Sequence, residues 1–198
     1  MAGGVKRARA LDRTRAENGV REFLAGLGFE LEDGELSGTP ARVVEAYSTE
    51  LLGGYDLSLE QIIREGSEPC SDGLDPVLIT DILLATVCPH HLLIAEGRAT
   101  LAYEPGERLL GLGALVRMVE AVSRRLTFQE EIAGVVVRAL MDEAGAKGAY
   151  CKVELEHACL RDRGARERSA KTVSAQAAGT LSEPGRLQWL SASLGSAP

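Results

Sequence analysis

The sequence predicts an α+β protein in which a helical amino-terminal region precedes a domain of four strands and two helices. Three observations predict this class. Apolar residues recur at helical spacing over the first third of the chain. Residues 65–76 (EGSEPCSDGLDP) are rich in glycine, proline, serine and acid, which is typical of a connection. The remainder follows the order strand, strand, helix, helix, strand, strand. We therefore expect a helical region at residues 1–74 and a second domain at residues 75–198.

The helical region contains three predicted helices. The first, over residues 12–28, has one apolar face, formed by Val20, Phe23, Leu24 and Leu27. The second occupies residues 39–54, since it begins with Thr-Pro and ends with Gly-Gly. The third is short and begins at Ser58, where Ser-x-x-Gln forms a capping-box pattern.

The second domain combines strand and helix patterns. Residues 76–87 (PVLITDILLATV) are β-branched and leucine-rich, which favours a strand buried on both faces. Residues 148–160 (GAYCKVELEHACL) alternate polar and apolar side chains, which indicates a strand with one solvated face. The other predicted elements are a strand at 97–105, helices at 111–126 and 129–145, a strand at 170–181 and a helix at 183–194.

Composition and charge exclude several classes of protein. The 198 residues carry a net charge of −7, which argues against a general nucleic-acid or membrane-surface binder. No long apolar run or leader-type segment is present, so we expect a cytoplasmic protein with a short, mobile basic arm at residues 6–17. Four cysteines are too few for a disulfide scaffold, and cysteine beside histidine indicates metal binding or catalysis.

All three histidines lie next to cysteines. Cys88-Pro89-His90-His91 follows a predicted strand, and His157 and Cys159 lie two residues apart near the end of another. Period two in a strand would send the second pair to one face. Sulfur and imidazole ligands together favour Zn²⁺. A structural site would take four ligands, from Cys88, His90 or His91, His157 and Cys159, whereas a catalytic site would take three.

A histidine is left over in either arrangement. Adjacent side chains after a strand end rarely point the same way, so His90 and His91 are not expected to be ligands together. The free imidazole suits general acid–base chemistry near neutral pH.

These motifs resemble the GTP cyclohydrolase I family. That family carries Cys-Glu-His-His-Leu after a strand and Glu-x-x-His-x-Cys much later, where this chain has CPHHL and ELEHACL. Further similar blocks are TPARVVEAYSTELLGGY, GLGALVRMVEAVSRRLTFQEEIA and RGARERSAKTVSA. The resemblance implies the tunnelling fold, an α+β fold with an antiparallel four-stranded sheet and two helices (ββααββ). It also implies a homodecamer around a pore and catalytic chemistry in the domain at residues 75–198.

The resemblance also implies roles for individual residues. Cys88, His91 and Cys159 would hold Zn²⁺, which activates water for attack at C8 of guanine. His90 and His157 would transfer protons. The substrate, a guanine nucleotide or related purine, would be bound by Gln129 and Glu130 at the base and by Arg117 and Arg163 at the phosphates.

Four departures from the family pattern leave two hypotheses for the identity of the substrate. Pro89 replaces a glutamate, which is expected to reshape the loop. Gly113 and Ala114 replace a Ser-Lys pair that serves the sugar and triphosphate, Ala175 replaces a serine, and Glu131 replaces an arginine. One hypothesis is GTP hydrolysis to 7,8-dihydroneopterin triphosphate and formate. The other is opening of a guanine-type purine with fewer phosphates, without pterin ring closure.

Two other functional classes fit these residues less well. A non-catalytic, zinc-stabilised oligomeric binding protein would not need His90 and His157. A zinc nucleobase deaminase would need His-x-Glu and Pro-Cys-x-x-Cys, and neither pattern occurs in this sequence.

Overall fold

The centre of the protein is a four-stranded antiparallel sheet. The structure is a computed structural model that describes residues 5–7, 9–32, 34–70 and 74–194. The strands follow the order β2-β3-β5-β6, with bounds β2 Val77–Val87, β3 Ile94–Glu104, β5 Gly148–His157 and β6 Thr172–Gly179. Helices α4 (Leu112–Ser123) and α5 (Gln129–Asp142) lie between the two strand pairs in sequence, so the predicted ββααββ order is confirmed.

The register of the sheet brings three chain segments to one end. Val87, the last residue of β2, pairs with Ile94 at the start of β3. Ala95 in turn pairs with His157, the last residue of β5. The segments that carry all three histidines therefore meet at this end, although about 65 residues separate them in sequence.

Helices α4 and α5 bury their apolar faces against the sheet. Their fully buried side chains include Met118, Val119, Ile132, Val136 and Leu140. The strands contribute alternate residues, so Cys151, Val153 and Leu155 of β5 are buried while Lys152 and Glu154 remain partly exposed. Each large apolar side chain buried in this way stabilises the fold by ~1.5–3 kcal/mol, and the aliphatic core compensates for the scarcity of aromatic residues.

The helical region differs from its prediction in the second helix. Helix α1 spans Arg13–Gly26 and α3 spans Leu59–Glu65, with the Ser58 hydroxyl accepting from the backbone N–H of Gln61 as the capping-box pattern predicts. The predicted second helix is divided into α2 (Thr39–Glu45), a π-helical turn (Ala46–Leu51) and a 3-10 turn (Gly53–Asp56). The hydroxyls of Ser48 and Thr49 donate to the carbonyl of Glu45, and such side-chain hydrogen bonds compete with regular helix geometry.

Several elements are too short to show a periodic pattern in the sequence. Strand β1 (Ser67–Pro69) lies inside the predicted connection and pairs with β4 (Arg108–Leu110). The one-turn helix α6 (Ala158–Arg161) follows β5, and a 3-10 turn (Thr180–Ser182) precedes α7 (Pro184–Leu194).

Contacts cross the predicted boundary at residue 74, which itself stays a prediction. Ile62 and Ile63 of α3 belong to the same buried core as the sheet and its helices. The buried guanidinium of Arg125 donates to the carbonyls of Gly54 and Ala121. Hydrogen bonds to a charged group are worth ~1.5–3 kcal/mol, so Arg125 fastens the helical region to the domain that carries the histidines.

The beginning of the described chain is docked, whereas a mobile arm was expected. The Val5 N–H donates to the Leu126 carbonyl at 2.8 Å, and the Tyr55 hydroxyl donates to the Val5 carbonyl. Arg7 pairs with Asp56 at 3.0 Å and lies 4.9 Å from the centre of the Tyr55 ring. Within the predicted arm at residues 6–17, the Arg7 side chain therefore has specific partners, and residues 13–17 belong to helix α1.

None of the helices in the described ranges is long and apolar enough to cross a membrane.

Candidate functional site

Three of the predicted zinc ligands come together at the end of the sheet where β2 and β5 finish. One ligand atom from each of Cys88, His91 and Cys159 lies within 4.8 Å of the other two. Cys88 Sγ and His91 Nδ1 are 3.7 Å apart. Two sulfurs and one imidazole nitrogen at this separation can close around a metal ion of the size and preference of Zn²⁺. His90 and His157 lie outside this group.

A tight turn presents Cys88 and His91 on the same side. The Cys88 carbonyl accepts from the Leu92 N–H at 2.9 Å, and the Cys88 N–H donates to the Leu93 carbonyl at 2.9 Å. Leu92 takes a left-handed conformation (φ 55°) that reverses the chain after the turn. Pro89 occupies the first position inside the turn, where a fixed φ fits and no N–H is required. The proline is therefore compatible with a regular turn at the metal ligands.

Cys159 reaches the metal group from a helix, and the predicted strand periodicity is wrong at this point. Strand β5 ends at His157, and Cys159 lies in α6. The change from strand to helix turns the Cys159 thiol towards Cys88 and His91 and leaves His157 directed elsewhere. This separation of the two side chains favours the three-ligand arrangement over the four-ligand one.

The thiols of Cys88 and Cys159 lie close together, and this arrangement favours a bound cation. Partial burial raises the pKa of Cys159, and the neighbouring Cys88 raises that pKa further, while Arg163 opposes both effects. Two thiolates this close repel each other, and a bound divalent cation reverses the balance because it stabilises both anions. Cys151 is different, since complete burial raises its pKa to about 12 and keeps it a thiol in the core.

His157 is held by the buried side chain of Gln129. The Gln129 amide nitrogen donates to the carbonyls of Val153 at 3.0 Å and Thr172 at 2.9 Å, which links α5 to β5 and β6. Its amide oxygen faces His157 Nε2 at 2.8 Å and is also contacted by the Thr172 hydroxyl. Gln129 is only 4% exposed, and each polar atom of its side chain has a partner within the chain.

This network assigns the tautomer of His157. Because the Gln129 nitrogen faces two carbonyl oxygens, its oxygen must be the atom that faces the imidazole, and His157 Nε2 must donate the proton. Nδ1 of the neutral ring then carries the free lone pair. Burial lowers the pKa of His157, with Glu130 opposing this shift, so the surroundings favour the neutral ring.

His90 lies on the open side of the turn, against an aromatic ring. The centre of the Phe128 ring is 5.2 Å from that of His90, and the His91 ring is 6.0 Å from His90 in an edge-to-face arrangement. Phe128 is the residue immediately before Gln129, and sequence reasoning did not single it out. The available signal was a phenylalanine beside the predicted base-binding residues of a chain with only 4% aromatic residues.

The remaining predicted site residues differ in their relation to His157 and the metal ligands. Glu130 is exposed in the first turn of α5 and near enough to His157 to influence its pKa. Arg163 is exposed beside Cys159. Arg117 is exposed on α4, and it forms no ion pair with any residue that the structure describes. The structure thus groups Cys88, His90, His91, Gln129, Glu130, His157, Cys159 and Arg163. The substrate contacts predicted for Gln129, Glu130, Arg117 and Arg163 stay predictions.

Ala114, the replacement for the family lysine, faces the chain that follows α3. It is 8% exposed, and a Cβ placed on Gly66 would lie 2.5 Å from the Ala114 Cβ. The start of α4 therefore approaches Gly66 so closely that position 66 has room only for glycine. Gly113 beside it is exposed.

Comparison with known proteins agrees with this arrangement. The sequence model of the GTP cyclohydrolase I family matches residues 16–191. The chain is 39% identical to GTP cyclohydrolase 1 of Ralstonia nicotianae over 157 residues, which cover 79% of this chain and 74% of that protein. It is 36% identical to GTP cyclohydrolase 1 of Leifsonia xyli subsp. xyli over 174 residues, covering 87% and 90%.

A solved structure offers only a distant likeness. The crystal structure of the archaeosine synthase QueF-Like in the apo form has a TM-score of 0.45 and 14% identity, and it covers 55% of this chain and 97% of that one. The match of the family over most of the chain is the deciding observation, and it includes both metal-ligand motifs and the two helices between them. By this match, the chain belongs to the GTP cyclohydrolase I family.

Proposed function

We propose that this protein is a zinc-dependent hydrolase that opens the imidazole ring of GTP at C8 and releases formate, with 7,8-dihydroneopterin triphosphate as the second product. The observation that carries the proposal is the convergence of Cys88, His91 and Cys159, with two further histidines beside them and outside the ligand group. Overall, GTP and one water give the pterin triphosphate and formic acid. C8 leaves as formate after the bonds that join it to the two ring nitrogens are broken.

The metal ligands are Cys88, His91 and Cys159. Zinc bound there would supply a water activated for attack at neutral pH. The protein's own part is to hold the three ligands at one point, through the turn after β2 and helix α6.

Proton transfer falls to the two remaining histidines. His157 presents Nδ1 as the free nitrogen because Nε2 is occupied by Gln129, so this side chain can take a proton from water and return it to a ring nitrogen that leaves C8. His90, which is exposed and lies against Phe128, supplies a second imidazole for the second nitrogen.

Base and phosphate recognition use opposite charges. The exposed carboxylate of Glu130 can accept two hydrogen bonds from the N–H groups at the guanine edge. Arg163, beside Cys159, offers a planar guanidinium to phosphate oxygens. Since both lie near His157 or the metal ligands, they would place the purine C8 between the histidines.

A second candidate substrate is a guanine-type purine with fewer phosphates, and Ala114 favours it. The family pattern has a lysine at this position that serves the triphosphate. Loss of one charged hydrogen bond to phosphate costs ~1.5–3 kcal/mol, which is about tenfold or more in affinity. In this candidate the ring is opened but the pterin ring is not closed.

The active form is proposed to be a homo-oligomer, a decamer by family resemblance. Strands β2 and β6 are the two edges of the sheet, with 11 and 8 residues respectively, and neither has a further strand on its outer side within the described chain. Long open edges of this kind invite pairing with another copy, which closes the sheet into a ring.

A substrate panel tests the proposed function. Zinc-loaded protein incubated with GTP, guanosine and guanine should release formate from GTP and produce fluorescent pterin. Formate without pterin fluorescence, or faster release from guanosine, would instead support the second candidate. If none of the three substrates yields formate above the level of a Cys159→Ser control, the proposal is wrong.

Arg163→Ala is expected to discriminate between these substrates by their phosphates. The variant should raise KM for GTP by ~10-fold or more, because a charged hydrogen bond is lost, and it should leave the kinetics with guanosine nearly unchanged. Arg163→Lys should recover part of the loss, since the charge remains while the planar donor pair does not. Equal losses with both substrates would show that Arg163 acts on something other than phosphate.

A further inference from the structure

Phe128 projects an exposed aromatic ring from a rigidly held stretch of chain. The ring is 42% exposed, whereas its neighbours Thr127 and Gln129 are 2% and 4% exposed. The Thr127 hydroxyl hydrogen-bonds Glu131, and Gln129 is tied to β5 and β6. The backbone beneath the ring is therefore fixed at both sides, and the ring does not belong to the core.

The position of this ring relates it directly to the reaction site. Leu126 forms a bridge with Val87, the last residue before Cys88, so the segment that carries Phe128 lies beside the metal-binding turn. The Phe128 and His90 ring centres are 5.2 Å apart with an angle of 52° between the planes. Glu130, the proposed guanine-edge ligand, is two residues further on, in the first turn of α5.

We infer that Phe128 is a base-contacting residue that packs against the face of the purine and, through its contact with His90, sets where that imidazole meets the imidazole ring of the substrate. Bases pack well on aromatic side chains because each has a π-face, and such packing does not depend on sugar or phosphate. An exposed phenylalanine that contacts a proton-transfer histidine, two residues before a carboxylate for the guanine edge, is suitably placed for this role. The inference rests on the proposed function and deepens its substrate recognition.

With Phe128 at the base, more of the binding free energy of the substrate comes from the guanine base and less from the triphosphate. Ala114 removes a cation at the position that the family pattern gives to the triphosphate, while Phe128 adds apolar and aromatic surface at the purine. The effect of Phe128 must therefore be the same for substrates that share the guanine base and differ only in phosphates. Substitution of Phe128 should therefore affect GTP and guanosine equally, whereas substitution of Arg163 should affect GTP only.

Three substitutions of Phe128 test the inference on the zinc-loaded, full-length protein. Phe128→Val should lower kcat/KM by roughly 5- to 100-fold, the range for base–aromatic packing, and by the same factor for GTP and guanosine. Phe128→Tyr, which keeps the ring, should retain most of the activity. Phe128→Leu, which keeps apolar volume without a ring, should resemble Phe128→Val. Trp189→Leu is the control, since Trp189 is a partly exposed aromatic on α7, at the other end of the sheet.

Other outcomes would overturn the inference. Wild-type activity in Phe128→Val, full rescue by Phe128→Leu, or a loss confined to GTP would each contradict an aromatic contact with the base. Zinc content measured for every variant excludes a lost metal site as the cause. If the wild-type protein hydrolyses none of the substrates, the proposed function fails separately, and calorimetric binding of GTP and guanosine decides the inference. Weaker binding to Phe128→Val supports the contact, whereas equal binding or no binding to the wild type contradicts it.

Discussion

Cys159→Ser should lose both the metal and the activity. The wild-type protein should contain about one zinc per chain, and the variant should retain only a small fraction of it, because serine supplies a hydroxyl where the site needs a thiolate. Formate release should fall by ~10³-fold or more, since water without the metal is a poor nucleophile at neutral pH. Elemental analysis together with a formate assay measures both effects on the same preparation.

Cys70→Ser is the matched control for this change. Cys70 is partly buried in the segment after β1 and lies outside the ligand group, so its replacement should leave the zinc content and turnover near wild type. Full zinc occupancy in Cys159→Ser, or full activity in a metal-free preparation, would contradict the assigned ligand set. Loss of zinc in Cys70→Ser to the same extent would indicate a general effect on folding.

His157→Ala should reduce kcat by ~10²–10⁴-fold, the usual contribution of a general acid–base group, while zinc stays bound. Gln129→Met should also reduce kcat, because it removes the acceptor that holds Nε2 and fixes Nδ1 as the free nitrogen. Methionine keeps the volume but leaves buried carbonyls of Val153 and Thr172 without their donor, so a stability loss of ~2–4 kcal/mol is also expected. Steady-state kinetics and thermal unfolding measure the two effects.

A double-mutant cycle separates positioning from stability. If Gln129 acts through His157, adding Gln129→Met to His157→Ala should lower kcat no further. Ser174→Ala is a suitable control, since the Ser174 hydroxyl donates to the Gln129 carbonyl and belongs to the same junction of α5 and β6 without touching His157. Additive losses in the cycle would mean that Gln129 does not work through His157, and direct contact with substrate would then be the better explanation.

Much of the fold follows from local pattern. The two helices between the strand pairs and the alternation along β5 have periodic apolar residues, and the family expected from the CPHH and HAC motifs is confirmed by the match over residues 16–191. The enzyme class expected from those motifs, a hydrolase of GTP cyclohydrolase I type, agrees with the relatives named GTP cyclohydrolase 1. Strand β1 was missed because three residues carry no period, and only pairing with β4 makes them a strand.

The candidate site was predictable in its membership but not in its connections. Residue types and motif spacing pointed to a zinc site among Cys88, Cys159 and the three histidines. The family resemblance selected Cys88, His91 and Cys159, and these three lie together. The side on which His157 points could not be predicted, since the strand stops at that residue and α6 begins at the next. Gln129 was expected to contact the substrate. In the structure its amide forms hydrogen bonds with two strands and with the His157 imidazole, and these contacts exist only once the sheet is packed.

The sequence by itself determined the chemistry that this protein has available: three imidazoles beside thiols, carboxylates and guanidiniums in a recognisable order, and the helices and strands that carry them. These properties are local, since they depend on residue type and on neighbours a few positions away. The tertiary structure decided which nitrogen of His157 is free, how Pro89 fits beside two metal ligands, and why Phe128 remains exposed next to His90. Each of these depends on contacts between residues far apart in sequence, whose directions are set only when the strand ends meet.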